Sequence, residues 1–190
     1  MPNLLATHSV GNSLINYLRN AYPQSLRAVQ AIDFRLLSTD ELAGKPELRN
    51  VLSLLLYRIT QNEHLRNTRL PNAPSDAPAP LSINLHFLLT VWAGSALVEH
   101  SVLTWAMREL HRRPVFDLSI LSADAAWAPG DVVNIIPEEL NSEEIMRIWD
   151  TLDPKYRLSV SYVARVVRID DDVLPTGLPV VATRLSYQEA

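Results

Sequence analysis

The most regular pattern in the chain is an alternation of side chains from Leu81 to Trp92. The odd positions from Leu81 to Val91 are all apolar, whereas the even positions mix polar and apolar residues. An alternation of this length has the period of a strand and not the period of 3.6 residues of a helix. We therefore predict a long strand in a mainly antiparallel sheet, with Leu85 and Phe87 in the core.

Shorter patterns predict the other strands of this sheet. Val51–Thr60 is apolar enough to be covered on both faces along part of its length. Tyr156–Ile169 alternates again, and this alternation places Leu158 and Val160 on a side that faces the core. The remaining candidates are short, and the last of them is a possible edge strand: Ala31–Leu37, Val132–Ile136 and Val180–Leu185.

Two segments carry the apolar spacing of amphipathic helices, and a proline follows each of them. The first is Leu5–Tyr22. The second begins after Ser95, which we expect to be its N-cap, and its apolar stripe includes Trp105.

The third predicted helix, Ser142–Leu152, has the clearest start signal in the chain. Asn141 and Glu144 have the spacing of a capping box. The core-facing stripe of this helix contains Ile145, Ile148 and Trp149.

The order of these elements predicts an α+β fold, in which two or three helices cover the mainly antiparallel sheet. Residues 39–47 and the proline-rich stretch 71–80 are predicted to be loops. We expect residues 1–170 to form a single domain. Residues 171–190 would be a C-terminal tail that serves as an edge strand or as an interaction arm.

Composition narrows the function classes. The chain has 190 residues, 17 basic and 21 acidic, and its net charge of −4 argues against a nucleic-acid partner. It contains no cysteine, so disulfides, thiolate metal sites and cysteine nucleophiles are absent. We expect no membrane span, because no apolar stretch approaches the ~20 residues that cross a bilayer. Without a signal-peptide pattern at Met1–Leu4, we expect synthesis in the cytosol.

No catalytic or metal-binding motif stands out in the sequence. The five histidines lack the spacing of a zinc site, and we expect them to be structural or exposed. The acidic pairs Glu138–Glu139 and Glu143–Glu144 flank a helix start, where they would complement the helix dipole. We therefore expect no catalytic residue, no metal and no cofactor.

Arginine-rich clusters are the remaining candidates for functional chemistry. They follow the Val51–Thr60 strand and line the Tyr156–Ile169 strand. A charged face exposed to solvent would explain them, and so would a protein–protein interface, where Arg is favoured over Lys. As candidate interface residues we take Arg58, Asn62, Arg66, Asn67, Arg69, Arg157 and Arg165.

Several stretches, in this order, resemble the cap proteins, or tail terminators, of extracellular contractile injection systems such as the antifeeding prophage. The resemblance covers residues 5–170, and its motifs are fairly specific as a series. The stretches are Tyr57–Asn62 with Leu65–Asn67, Leu85–Thr90, Glu99–His100 leading to Trp105–Leu110, Ile136–Leu140, and Tyr156–Tyr162.

The resemblance implies a structural protein with a tail-terminator-like fold. It would form a homohexameric ring on the inner tube protein, stop tube growth and contact the last layer of sheath protein, as a part of the assembled particle. Family members commonly have a longer C-terminal part than this chain. Two other functions remain open at this point: an assembly adaptor or chaperone-like module, and a hydrolase with an unrecognised site.

Overall fold

The computed structural model describes residues 2–43, 48–65, 79–152 and 155–170, and all structural statements concern these residues. The described helices are α1 (Ala6–Ala21), α2 (Gln24–Val29), α3 (Thr39–Ala43), α4 (Ala96–Arg112) and α5 (Ser142–Asp150). The strands are β1 (Asp33–Leu37), β2 (Val51–Gln61), β3 (Leu81–Trp92), β4 (Val115–Phe116), β5 (Val133–Glu138) and β6 (Ser159–Ile169).

The strands form one six-stranded sheet in the order β1-β2-β3-β6-β5-β4. Strands β1 and β2 are parallel, and every other neighbouring pair is antiparallel. The predicted α+β class with a mainly antiparallel sheet is therefore confirmed. Strand β3 has the predicted bounds and lies at the centre of the sheet, between β2 and β6.

The first face of the sheet packs against α1 and α4 in a large apolar cluster. Leu85 and Phe87 of β3 and Trp105 of α4 are buried in this cluster, as predicted. Gly11 of α1 allows a close approach to β1, because a Cβ at this position would lie 3.0 Å from the methyl groups of Leu36. A glycine inside a helix lowers the stability of the helix, but here it also permits close packing of α1 against the sheet.

The second face of the sheet carries a smaller apolar cluster under α3 and α5. Trp149 is buried there, and Ile145 and Ile148 are half-buried beside it. The capping box at the start of α5 forms as predicted: the Glu144 N–H donates to the Asn141 side chain, and Glu144 accepts from the Asn141 N–H. Helices thus cover both faces of the sheet.

Ser95 is the N-cap residue of α4, as predicted, although its side chain makes no capping hydrogen bond. Two other predictions at the ends of elements are wrong. Residues 39–43, predicted to be part of a loop, form α3. Leu158 was predicted to face the core, but β6 begins at Ser159 and not at Tyr156. Leu158 therefore lies outside the sheet and is 37% exposed.

The face assignment within β6 is also only partly correct. Val160 is half-buried against the first cluster, where Tyr162 and Ala164 are buried. Beyond Ala164, an irregularity in the register with β3 shifts the pattern, and Val167 occupies the buried position. The loop predicted at 71–80 lies largely outside the described residues, and the strand predicted at Val180–Leu185 lies wholly outside them.

Candidate functional site

A polar cluster lies on the second face of the sheet, beside the apolar cluster under α5. Its members are Tyr57 and Arg58 of β2, His86 of β3, Glu138 of β5 and Ser161 of β6. Four neighbouring strands therefore contribute side chains to it. Of these five residues, the sequence predicted only Arg58 as a site residue.

An irregularity in β2 brings two consecutive side chains to this face. The register between β2 and β3 shifts between Leu56 and Arg58, so Tyr57 is the additional residue. In a regular strand, Tyr57 and Arg58 would point to opposite faces. The bulge changes this alternation, and both side chains contact the Glu138 carboxylate.

The Glu138 carboxylate is the centre of the cluster. It accepts hydrogen bonds from the Tyr57 hydroxyl and the Ser161 hydroxyl, each at 2.8 Å. Nδ1 of His86 lies 2.9 Å from Oε1, and an Arg58 guanidinium nitrogen lies 3.2 Å from the same atom. An ionised carboxylate can only accept hydrogen bonds, so Nδ1 of His86 must carry the proton that it donates to Glu138.

These contacts determine the protonation of the cluster. Burial alone would raise the pKa of the Glu138 carboxyl, but the hydrogen bonds from His86, Ser161 and Tyr57 outweigh it and hold that pKa below its ordinary value. Burial, together with the carboxylate acceptor, raises the pKa of Tyr57 to about 12. Glu138 is therefore ionised and Tyr57 neutral near neutral pH.

Arg58 is the more exposed residue of the ion pair with Glu138 and lies where the cluster meets solvent. Its side chain is 51% exposed, whereas that of Glu138 is 18% exposed. The ion pair holds one edge of the guanidinium and leaves other N–H donors to face solvent. The geometry suits recognition of an acidic or carbonyl-rich partner surface.

The other predicted interface residues lie apart from one another. Asn62 donates to the Asn84 side chain at 3.2 Å and accepts from the Leu65 N–H at 3.2 Å, at the end of β2. The Arg157 guanidinium lies 5.6 Å from the centroid of the Trp92 ring. Arg165 is exposed on β6 opposite Asn134. Arg66, Asn67 and Arg69 lie outside the described residues.

Glu138 was expected to complement the dipole of the third predicted helix, and this expectation is wrong. Glu138 is the last residue of β5, and α5 begins only at Ser142. The strand predicted at Val132–Ile136 continues past its predicted end, because Pro137 pairs with Tyr162. The signal that was available is the interruption of apolar patterns by polar residues, at Tyr57-Arg58 and at His86, in the middle of strands.

Within the described parts of the chain, no three His, Asp or Glu side chains are grouped so that they could hold a metal ion. None of the helices described is both long enough and apolar enough to cross a membrane. The polar cluster joins four strands by hydrogen bonds and leaves the Arg58 side chain half-exposed at its margin.

Comparisons with known proteins identify the family of the chain and proteins with a similar fold. A family model described as the Pvc16 N-terminal domain matches residues 9–183. No curated protein matches the chain in sequence.

Two structures determined by electron cryomicroscopy have a similar fold. One is the PVC sheath/tube terminator in the extended state, from an extracellular contractile injection system, with 20% identity and a TM-score of 0.59 over 96% of this chain. The other is the anti-feeding prophage cap, a tube terminating cap, with 17% identity and a TM-score of 0.60 over 94% of this chain. The chain spans 63% and 60% of the length of these two proteins.

Proposed function

The chain belongs to the Pvc16 N-terminal domain family, and we propose that it terminates the inner tube of a contractile, phage-tail-like injection particle. The observation that carries this proposal is the fold shared over 96% of the chain with a sheath/tube terminator. The resemblance of the sequence motifs to cap proteins supports the same function.

A terminator must meet one geometric requirement. A tube grows because each ring presents a surface that fits the next ring. A terminator must fit the last ring on one side and offer no copy of that surface on the other. We propose that this chain does so as a homohexameric ring, which requires a head-to-tail interface that closes on itself.

The role is structural and not catalytic in this proposal, and it requires no cofactor, nucleic acid or membrane. Both oxygens of the Glu138 carboxylate accept hydrogen bonds from this chain, from Tyr57, His86 and Ser161. Its use in holding β2, β3, β5 and β6 together suits a protein that must keep a rigid contact surface.

We propose that the predicted interface residues contact the neighbouring subunit, the inner tube protein or the sheath protein. Arg58, Arg157 and Arg165 are all exposed, and Arg58 and Arg157 are each held by a contact with the sheet. A guanidinium that is already oriented loses less entropy when it binds. We propose that Asn62, Arg66, Asn67 and Arg69, which were predicted from the sequence, take part in the same contacts.

The proposal is tested by deleting the gene and measuring tube lengths in purified particles by electron microscopy. We expect long tubes of variable length, and uniform lengths after the wild-type gene is restored. Uniform, capped tubes in the deletion strain would overturn the proposal.

A second measurement addresses the ring and its position. On the particle, the chain should lie at the end of the tube distal to the baseplate, with a mass near six times the 21.3 kDa protomer. A chain found only at the baseplate end, or absent from finished particles, would favour the assembly adaptor.

A further inference from the structure

Among the described residues, the C-terminal half of β2 is an edge of the sheet. Strand β1 pairs with β2 only as far as Leu37, which lies opposite Leu55. Beyond that point β2 continues to Gln61, and on this side no strand among the described residues pairs with it. We call the part of β2 from Leu56 to Gln61 the open edge.

The direction of the backbone groups on the open edge follows from the pairing with β3. The Asn62 N–H donates to the Ser82 carbonyl at 2.8 Å, so the even-numbered residues here direct their backbone groups toward β3. The N–H and C=O groups of Ile59 and Gln61 therefore point away from β3, toward the side that β1 leaves uncovered. An edge whose backbone groups are not paired by any described strand is a template for a further strand.

The side chains at this edge are also suited to a strand. Ile59 is 51% exposed although its cross-strand neighbour Leu85 is completely buried. Leu56 and Leu4 line an open cavity of about 960 Å³ between α1 and β1, adjacent to the same edge. Leu4 is 76% exposed. An added strand would cover apolar surface as well as pair backbone groups.

We propose that residues 180–187 of the same chain dock on the open edge as a further strand, antiparallel to β2. This segment is proline-free and contains the β-branched residues Val180, Val181 and Thr183. The other nearby segment outside the described residues, 66–78, carries Pro71, Pro74 and Pro78, which disfavour a paired strand.

Reach and direction agree with this assignment. Strand β6 runs parallel to β2, and Ile169 pairs with Leu81 at the same end of the sheet as Gln61. A strand added at the open edge would lie three strand spacings from β6, about 14 Å. Residues 171–179 can span about 30 Å when extended. They include Pro175, Gly177 and Pro179, which favour a change of direction.

The family match supports the same connection. The family model continues past the end of β6 to residue 183. Thus the beginning of the proposed strand belongs to the part of the chain that the family shares, and it is not an unrelated extension.

The absence of native cysteine allows a direct test by cross-linking in the full chain. Gln61→Cys is combined in turn with Val180→Cys, Val181→Cys and Ala182→Cys. The control series replaces Gln61→Cys by Val115→Cys, which is an exposed position on β4 at the opposite edge of the sheet. Mild oxidation is followed by non-reducing electrophoresis and by mass spectrometry of the linked peptides.

We expect at least one Gln61 pair to cross-link within a single chain about tenfold faster than its Val115 control, because a docked segment is held at a high effective concentration. Amide hydrogen exchange gives the second readout. Of two consecutive residues in the added strand, one donates its N–H to β2, so one of the variants Val180→Pro and Val181→Pro should remove this hydrogen bond. In that variant, amide exchange at Ile59 and Gln61 should accelerate, while exchange at Leu54 and Leu89 is unchanged. Cross-links between chains, no cross-link, or exchange that neither proline variant alters would overturn the proposal.

Discussion

Nδ1 of His86 lies 2.9 Å from Oε1 of Glu138, although β6 lies between the strands that carry these two residues. The contact crosses over Ser161 of β6, whose hydroxyl donates to the same carboxylate. A side chain at the end of β5 thus reaches two strands away and joins the centre of the sheet to its β5 side. The polar cluster stabilises the register of the sheet as well as presenting Arg58.

Removing the charge of Glu138 tests how strongly the cluster stabilises the fold. Glu138→Gln keeps the shape but removes the negative charge, and its amide nitrogen cannot accept a hydrogen bond as the replaced carboxylate oxygen does. We expect the free energy of unfolding to fall by about 2–3 kcal/mol, because hydrogen bonds to a partly buried charged group are lost. Denaturant unfolding followed by circular dichroism measures this difference.

Glu143→Gln is the matched control. Glu143 bonds Arg147 at 2.6 Å on α5, but both side chains are more than two-thirds exposed, at 72% and 77%. We expect a loss of less than about 0.5 kcal/mol, as for other exposed pairs. Equal losses in the two variants would show that the buried cluster does not contribute more than a surface pair.

The stabilisation by Glu138 should depend on pH with a definite sign. In the folded chain its pKa lies below the ordinary value of 4.5. The stabilisation is therefore complete above about pH 4.5 and is lost as the pH falls through the folded-state pKa. The unfolding free energies of wild type and Glu138→Gln should converge as the pH falls below 4.5.

The difference between the two proteins is the quantity to follow. The pKa values of Asp33, Glu41 and Asp117 are also lowered, by hydrogen bonds with their own neighbours, so they affect both proteins equally. A difference that stays constant from neutral pH to about pH 3 would contradict the assignment of the shift to Glu138.

The sequence predicted those elements whose signal lies within one segment. The alternation in β3 and the Asn141–Glu144 capping box were sufficient for their elements. Helix α3 also has such a signal, which the interpretation missed. At its start, the Ser38 N–H donates to the Glu41 carboxylate at 2.7 Å, and the Glu41 N–H donates to the Ser38 hydroxyl at 3.2 Å. The segment was nevertheless predicted to be a loop because Gly44 and Pro46 follow closely.

The polar cluster could not be predicted in the same way. Its members lie on four strands, and only the register of those strands brings Tyr57, His86 and Glu138 together. The register depends on the irregularity at Tyr57, which no local pattern specifies. Arg58 was selected from the sequence for its residue type and position, whereas its partner Glu138 required the structure.

Trp149 should be a main source of stability on the second face of the sheet. It is 3% exposed, and its ring meets that of Trp92 edge-to-face, with centroids 5.9 Å apart. We expect Trp149→Ala to lower the free energy of unfolding by about 3–5 kcal/mol. Met146→Ala, at a 47% exposed position of the same helix, is the control, and its effect should be within about 0.5 kcal/mol.

A phenylalanine at position 149 separates ring packing from polarity. The indole N–H of Trp149 is buried and has no acceptor among the described residues. Trp149→Phe removes this unsatisfied donor while it keeps a ring, so we expect a loss of no more than about 1.5 kcal/mol. A loss as large as that of Trp149→Ala, measured by thermal and denaturant unfolding, would show that the full indole volume is needed.

Arg58 provides the test of the proposed contact surface. Arg58→Gln avoids a second carboxylate beside Glu138, and an ion pair with a half-exposed arginine contributes only about 0–1 kcal/mol. The variant should therefore fold normally and yet give longer or uncapped tubes, because an oriented guanidinium is lost from the surface. Electron microscopy gives the distribution of tube lengths, and unfolding experiments verify the fold.

The control for this variant is Arg147→Gln, which removes an equally paired arginine that is 77% exposed on α5. It removes the same charge from a different part of the second face, so a general effect of charge would appear in both variants. We expect wild-type tube lengths for Arg147→Gln and altered lengths for Arg58→Gln. Normal lengths in both variants would exclude Arg58 from the contact with tube, sheath or neighbouring subunit, whereas altered lengths in both would indicate a dependence on net charge alone.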